Sequence, residues 1–299
     1  MIKILITGAT GFVGKNLSSY LNKFLMQVEY FKRSDLISDK IIADKLAIIH
    51  LAGKAHDLKK TSNPEEYYQV NFELTKKLYD EFLKSDCRKF VFISSVKAVT
   101  DSVEGILTED VIPNPKTHYG KSKLMAEEYI KSLPLPKGKF FYILRPCMIH
   151  GPGNKGNLNL LYKFVQKGIP YPLAAFKNKR SFLSVENLCF VIANLVDKDV
   201  PSGIYNIADD DALSTNEVVS ILAESLNKKP KLWSIPAGII KGLAKIGDLV
   251  RLPLNSERLD KLTENYVVSN IKIKEAIGRP LPLKTNDGLA ITAKSFAKT

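Results

Sequence analysis

Ile2-Lys3-Ile4-Leu5-Ile6-Thr7-Gly8-Ala9-Thr10-Gly11-Phe12-Val13-Gly14 is the stretch that decides the fold. Its first five residues are mostly apolar and β-branched, the pattern of a strand buried on both faces. Three glycines follow at three-residue spacing. An amphipathic helix then runs to about Leu25, with Phe12, Leu17, Leu21 and Leu25 near one side. A strand, a glycine turn and a helix in immediate succession suit a dinucleotide phosphate. Glycine lets the backbone approach a pyrophosphate, and the helix N-terminus supplies free N–H groups and the positive end of its dipole. The spacing is G-x-x-G-x-x-G rather than G-x-G-x-x-G.

Outward from this stretch, apolar runs alternate with helical stretches. Strands are expected at 2–6, 28–31, 46–51, 89–94, 140–145 and 203–207. Such alternation implies an α/β fold with a doubly wound parallel sheet and helices on both faces. After about residue 150 the pattern changes: Gly and Pro cluster at 151–156 and 168–172, and 230–256 is irregular and partly basic.

Tyr119-Gly120-Lys121-Ser122-Lys123 places a phenol and an ammonium four residues apart, on one face of a helix. A tyrosine titrates near 10, and a nearby lysine cation favours the phenolate and lowers that value. Such a pair can take a proton from an alcohol or return it to a ketone. Phe90-Val91-Phe92-Ile93-Ser94-Ser95 reads as a buried strand ending in two hydroxyls. The C-terminal edge of a parallel sheet is where ligands bind, and Ser95 there suits orienting the reacting oxygen.

Together these segments resemble the extended short-chain dehydrogenase/reductase superfamily, in its NAD-dependent epimerase/dehydratase branch acting on nucleotide sugars. The resemblance covers nearly the whole chain. It matches Gly8, Gly11 and Gly14 to the cofactor glycines, His50-Leu51-Ala52-Gly53 to a strand motif beside the cofactor, and Asn71 to a helix residue of the active-site framework. Leu144-Arg145-Pro146, His150-Gly151-Pro152-Gly153 and Arg180-Ser181-Phe182-Leu183 match further family segments, with His150 replacing the usual Tyr. Ser94-Ser95-Val96-Lys97, the run from Gly151 to Asn157, and Asn178-Lys179-Arg180-Ser181 resemble bacterial enzymes acting on UDP-N-acetyl-6-deoxyhexoses in surface-polysaccharide synthesis.

The resemblance implies a Rossmann domain at 1–150, to which 182–207 returns, and a smaller, mainly substrate-binding domain at 151–299. It makes Ser95, Tyr119 and Lys123 catalytic. Gly8, Gly11, Phe12, Gly14, Leu51, Ala52, Gly53 and Asn71 join Tyr119 and Lys123 around the cofactor. Ser95, Asn157 and Arg180 are expected on the substrate, Arg180 at its diphosphate. The expected reaction moves hydride between a nicotinamide and C4 of a UDP-hexose, as a UDP-4-keto-6-deoxy-N-acetylhexosamine 4-reductase or, alternatively, a UDP-hexose 4-epimerase. Val96-Lys97 stands where sugar dehydratases of the family carry Asp-Glu, so elimination of water is not expected. Lys32 and Arg33 occupy the end of the second strand, where NAD users of the family place Asp. Cations there suit the 2′-phosphate of NADP, which is favoured over NAD. A cofactor-binding sensor or scaffold without turnover is the rival class; such members of the superfamily typically lose the Tyr or Lys kept here. The resemblance also implies a homodimer, paired through the helices bearing Tyr119 and Asn71.

Composition sets the remaining bounds. A net charge of +13 suits anionic ligands, but Lys and Arg form no block with interleaved aromatics, so nucleic acid is not an expected partner. Three scattered cysteines and four histidines without metal-ligand spacing predict neither disulfides nor a metal site. No apolar run approaches the length of a membrane span, and the cytoplasm is the expected location. Residues 235–252 are apolar and basic. They read as a helix packed on the substrate domain, with a membrane-surface helix as the alternative.

Overall fold

A computed structural model describes residues 3–24, 26–31, 44–54, 63–154, 156–250 and 255–297. Its first half runs β1 (Lys3–Thr7), α1 (Phe12–Asn22), β2 (Gln27–Phe31), β3 (Ala47–His50), α2 (Pro64–Tyr68), α3 (Leu74–Lys84), β4 (Lys89–Ile93), β5 (Ile106–Leu107), α4 (His118–Ser132) and β6 (Phe140–Pro146). The second half runs β7 (Met148–His150), α5 (Asn157–Gln166), β8 (Arg180–Ser184), α6 (Val185–Asp197), β9 (Gly203–Ile207), β10 (Ala212–Leu213), α7 (Thr215–Ser225), α8 (Ala237–Val250), α9 (Ser256–Thr263), β11 (Val267–Val268), α10 (Ile271–Ile277) and α11 (Thr285–Phe296). A π-helical turn, Gln69–Glu73, joins α2 to α3 without a break.

Six strands form one sheet in the order β2-β1-β3-β4-β6-β9, every neighbouring pair parallel. They are the six expected strands, with ends shifted by one residue at most. The pleat sorts their side chains by alternation. Ile4 and Ile6 join Leu17 and Leu21 of α1 and Leu188, Val191 and Leu195 of α6 in one buried cluster. Leu5, between them, faces the other way, into a cluster with Leu78, Tyr79 and Phe82 of α3 and Ala126 and Ile130 of α4. Both faces are therefore covered, which a parallel sheet requires. The sequential order reverses between β1 and β3, and a crevice opens at the strands' carboxyl ends there.

A separate apolar cluster gathers α5, α7, α8, α9 and α11, through Leu158, Tyr162, Leu222, Ile240, Leu259 and Leu289 among others. In a second sheet, β8 lies between β7, parallel to it, and β10, antiparallel. After β8 the chain returns to the central sheet: α6 packs on α1, and β9 forms the sheet edge. Ser184 makes that junction, its hydroxyl accepting the Asn187 N–H at 3.1 Å to cap α6. No described helix is long and apolar enough to cross a membrane.

Candidate active site

Ser95 follows β4 and starts a 3₁₀ turn, its Oγ accepting the Lys97 N–H at 3.2 Å. Thr117 caps α4, and Tyr119 and Lys123 stand one turn apart on that helix. The Ser95 hydroxyl lies close enough to the Tyr119 phenol to act on its ionisation as a hydrogen-bond partner. The three predicted catalytic residues thus meet at the carboxyl end of β4. Burial raises the phenol's pKa; the Ser95 hydrogen bond lowers it and Tyr67, edge-on to the Tyr119 ring, raises it.

The expected lowering of this phenol by Lys123 is not what the structure shows. The Lys123 ammonium donates instead to the Ile93 carbonyl at 2.8 Å and lies 4.7 Å from the centre of the Phe92 ring. With 4% of its surface exposed, it is itself pushed down to about 8 by burial, against the opposing pull of Glu127.

Glu127, one further turn along α4, is a residue the sequence reading passed over. Its carboxylate accepts the Ser94 hydroxyl at 2.5 Å and the Arg145 Nε–H at 3.1 Å from both oxygens; the Arg145 Nη2 approaches to 2.5 Å. Both partners are almost fully buried. The pair ties α4 to β6 and to the residue before Ser95, and so sets how far Tyr119 and Lys123 stand from the sheet edge.

The glycine turn has the close approaches that a dinucleotide cradle needs. Gly8 has φ +71°, and a Cβ there would sit 2.7 Å from the Ala52 nitrogen; one on Gly14 would sit 2.4 Å from the Gly8 carbonyl oxygen. Gly11 begins α1 without a side-chain cap, leaving the first-turn N–H groups free of a side-chain acceptor. Phe12 packs beside Gly151 and Gly153.

Leu51, Ala52 and Gly53 leave β3 beside this turn. Thr7 takes the Leu51 N–H on its carbonyl at 3.2 Å and the Ala52 N–H on its hydroxyl at 3.1 Å. A buried chain continues from Thr7 to His50 Nδ1 (2.7 Å), from His50 Nε2 to Thr75 (2.9 Å), and from the Thr75 hydroxyl to the Asn71 carbonyl (2.7 Å). Burial, reinforced by the Lys123 charge, pushes His50 down to about 3, so the ring is neutral. The tautomer with hydrogen on Nε2 satisfies every bond in the chain.

Asn71, on the π-helical turn, accepts the Lys54 N–H at 2.7 Å and donates to the Lys54 carbonyl at 3.1 Å and to Ser122 at 3.0 Å. A Cβ on Gly53 would lie 3.0 Å from Lys123 Nζ and 3.1 Å from Asn71 Oδ1. The loop after β3 and helix α4 therefore share one wall, and these residues fit a nicotinamide dinucleotide.

Arg180 opens β8, half-buried, donating to the Lys261 carbonyl at 3.1 Å and pairing with Glu264 at 3.3 Å. It lies close enough to Lys97 that Glu264, Arg180 and Lys261 all act on the Lys97 ammonium, which burial lowers. Lys97 donates to the Asp101 carbonyl and stands 4.1 Å from the Tyr266 ring centre. Arg180 thus belongs to the neighbourhood of Ser95. Asn157 is exposed at the start of α5 and makes no hydrogen bond to Ser95 or Arg180 among the described residues. Lys32 and Arg33 lie outside the described residues.

The profile of the NAD dependent epimerase/dehydratase family matches residues 4–208. UDP-glucose 4-epimerase of Vibrio cholerae is 30% identical over 98% of this chain and 95% of its own length. GDP-6-deoxy-D-mannose reductase of Pseudomonas aeruginosa is 25% identical over 79% of this chain and 84% of its own. Among solved structures, MoeE5 in complex with UDP-glucuronic acid and NAD superimposes with a TM-score of 0.76 at 20% identity, covering 99% of each chain, a likeness of fold.

Proposed function

From its place as an enzyme of the NAD dependent epimerase/dehydratase family, to which the chain belongs, we propose that it transfers hydride at C4 of a UDP-hexose. The favoured net reaction is NADP-linked reduction of a 4-keto-6-deoxy-N-acetylhexosamine. The observation that carries the reading is the meeting of Ser95, Tyr119 and Lys123 at the sheet edge, one wall away from the glycine turn. The cofactor, when bound, supplies or accepts the hydride.

Tyr119 passes the proton to or from the sugar O4, and its raised pKa suits it to donate that proton in the direction of reduction. Ser95 holds the same oxygen through its hydroxyl. Lys123 keeps its charge below about pH 8 and presents it beside Gly53, where a ribose hydroxyl of the cofactor favours a cation. Leu51, Ala52, Asn71 and Phe12 shape the cofactor side. Arg180 receives the substrate diphosphate after exchanging Glu264 for phosphate oxygens, a bidentate match for its guanidinium. Asn157 contacts the substrate from α5. The second apolar cluster serves as the substrate-binding domain. The enzyme works in the cytoplasm as a homodimer paired through α4 and the helix that carries Asn71, which a monomeric mass by light scattering would refute.

UDP-hexose 4-epimerisation with retained NAD is a second reading, favoured by the end-to-end similarity to UDP-glucose 4-epimerase. Both outcomes use the same residues. Incubation with UDP-, dTDP- and GDP-sugars and their 4-keto forms, with NADH or NADPH, separates them. Stoichiometric loss of absorbance at 340 nm with a 4-keto sugar marks net reduction. C4 inversion without net change in absorbance marks epimerisation, and neither result with any sugar overturns both.

A further inference from the structure

We propose that α8 docks this protein onto an anionic lipid bilayer. Only a narrow strip of the helix is needed by the fold: Ile240 and Ala244 are buried in the second apolar cluster. Beside that strip, Ile239, Leu243 and Ile246 follow one another at four- and three-residue spacing, exposed by 56%, 51% and 55%; Leu249 extends the row at 85%. Such spacing places them along one line of the helix surface. No described element covers them. Trp233 and Leu232, just before the helix, are also exposed, and tryptophan is favoured where apolar and wet phases meet.

Charge identifies the occupant. Lys241 and Lys245 stand one turn apart on the flank of the buried strip opposite the apolar row, exposed and without a carboxylate partner among the described residues. The acid of the same face, Asp248, already accepts the Ser256 N–H and hydroxyl at 3.0 and 2.6 Å. A surface for this face must take apolar side chains and attract cations together. A second copy of the chain offers the apolar face but carries the same +13 charge and brings lysine rows against each other. An anionic bilayer offers acyl chains below and phosphates above, the arrangement an interfacial amphipathic helix matches. At 14 residues α8 is too short to span, so it lies in the interface plane.

The test is sedimentation of the full chain with phosphatidylcholine vesicles, with and without phosphatidylglycerol, at low and high salt. The expected result is binding about tenfold tighter to the anionic vesicles, weakening with salt. Leu243→Glu combined with Ile246→Glu should abolish it with circular dichroism and thermal midpoint unchanged. Lys241→Glu combined with Lys245→Glu should remove the anionic preference without touching the apolar row. Absence of binding to phosphatidylglycerol, or binding unchanged in both double variants, overturns the proposal. So does an oligomer that dissociates in the Leu243→Glu and Ile246→Glu variant, which would make α8 a contact between copies.

Discussion

Lys123 and Arg180 are the two cations assigned to the reacting molecules, and the protein holds them in opposite ways. Lys123 is almost fully buried, donates to a backbone carbonyl, and is backed by the Glu127–Arg145 pair. Arg180 is half-buried and rests on a side chain, Glu264, that another anion can replace. A backbone carbonyl has no other place to be, so Lys123 is fixed before any ligand arrives. A partly exposed ion pair contributes little stability and gives up its partner more readily than a buried one. On the proposed function, the end of the site where bonds change is built in advance, and the end that recognises is kept exchangeable.

The strongest test of the fixed end is Tyr119→Phe. Turnover should fall by about 10²–10⁴-fold, since only the positioned proton transfer is lost, with cofactor affinity nearly unchanged by titration. A wild-type kcat would remove Tyr119 from the chemistry. Arg145→Ala strands the Glu127 carboxylate in the interior and should cost about 3–5 kcal/mol in denaturant unfolding. A loss below about 1 kcal/mol would show that the support is not fixed.

Acid–base behaviour sharpens the contrast. Because kcat/KM reports the free enzyme, it should fall above about pH 8 as Lys123 loses its proton, by about tenfold at pH 9. For folding the sign is opposite. The folded pKa lies below the unfolded value, so between about pH 8 and the ordinary lysine value of 10.5 the unfolded chain holds more of this proton. Lys123 therefore adds stability as pH rises through that window, and Lys123→Met should flatten the rise in pH-dependent unfolding.

At the exchangeable end the effects are smaller and can change sign. Arg180→Ala should raise the sugar-nucleotide KM by about tenfold, the value of a charge-assisted contact discounted for exposure, with cofactor affinity unaffected. Glu264→Gln releases Arg180 and should lower the same KM by about two- to threefold. A rise in KM with Glu264→Gln would mean that Glu264 positions the guanidinium rather than competing for it.

The fixed end was also the more legible one. Buried parallel strands are unbroken apolar runs, and the hydroxyls after Ile93 and the i, i+4 pair at Tyr119 and Lys123 stand out against them. Glu127 did not, because a carboxylate on a helix reads as a solvent face; it is buried only through Arg145, eighteen residues on. The available signal was Arg145 itself, a charge inside an apolar strand, which demands a buried partner. Beyond residue 150 the pairing is non-local: β5 pairs with β11, and β8 lies between β7 and β10. Short strands of that kind leave little periodicity to read. In α8 the apolar residues were visible, but which of them the fold would leave uncovered depended on packing.

The π-helical turn at Gln69–Glu73 acts on phase. In an unbroken α-helix, residues eight apart are out of line by about 80°. The wider turn absorbs much of that drift, so Tyr67, Asn71 and Thr75, each four residues after the last, address three partners along one side: the Tyr119 ring, the loop at Lys54 with Ser122, and His50. Screwed at ordinary pitch, the same helix would reach its first and third partners only by missing the second. The irregular turn is a gear correction, and it lets a single rod time the catalytic helix, the cofactor loop and the core of the sheet together.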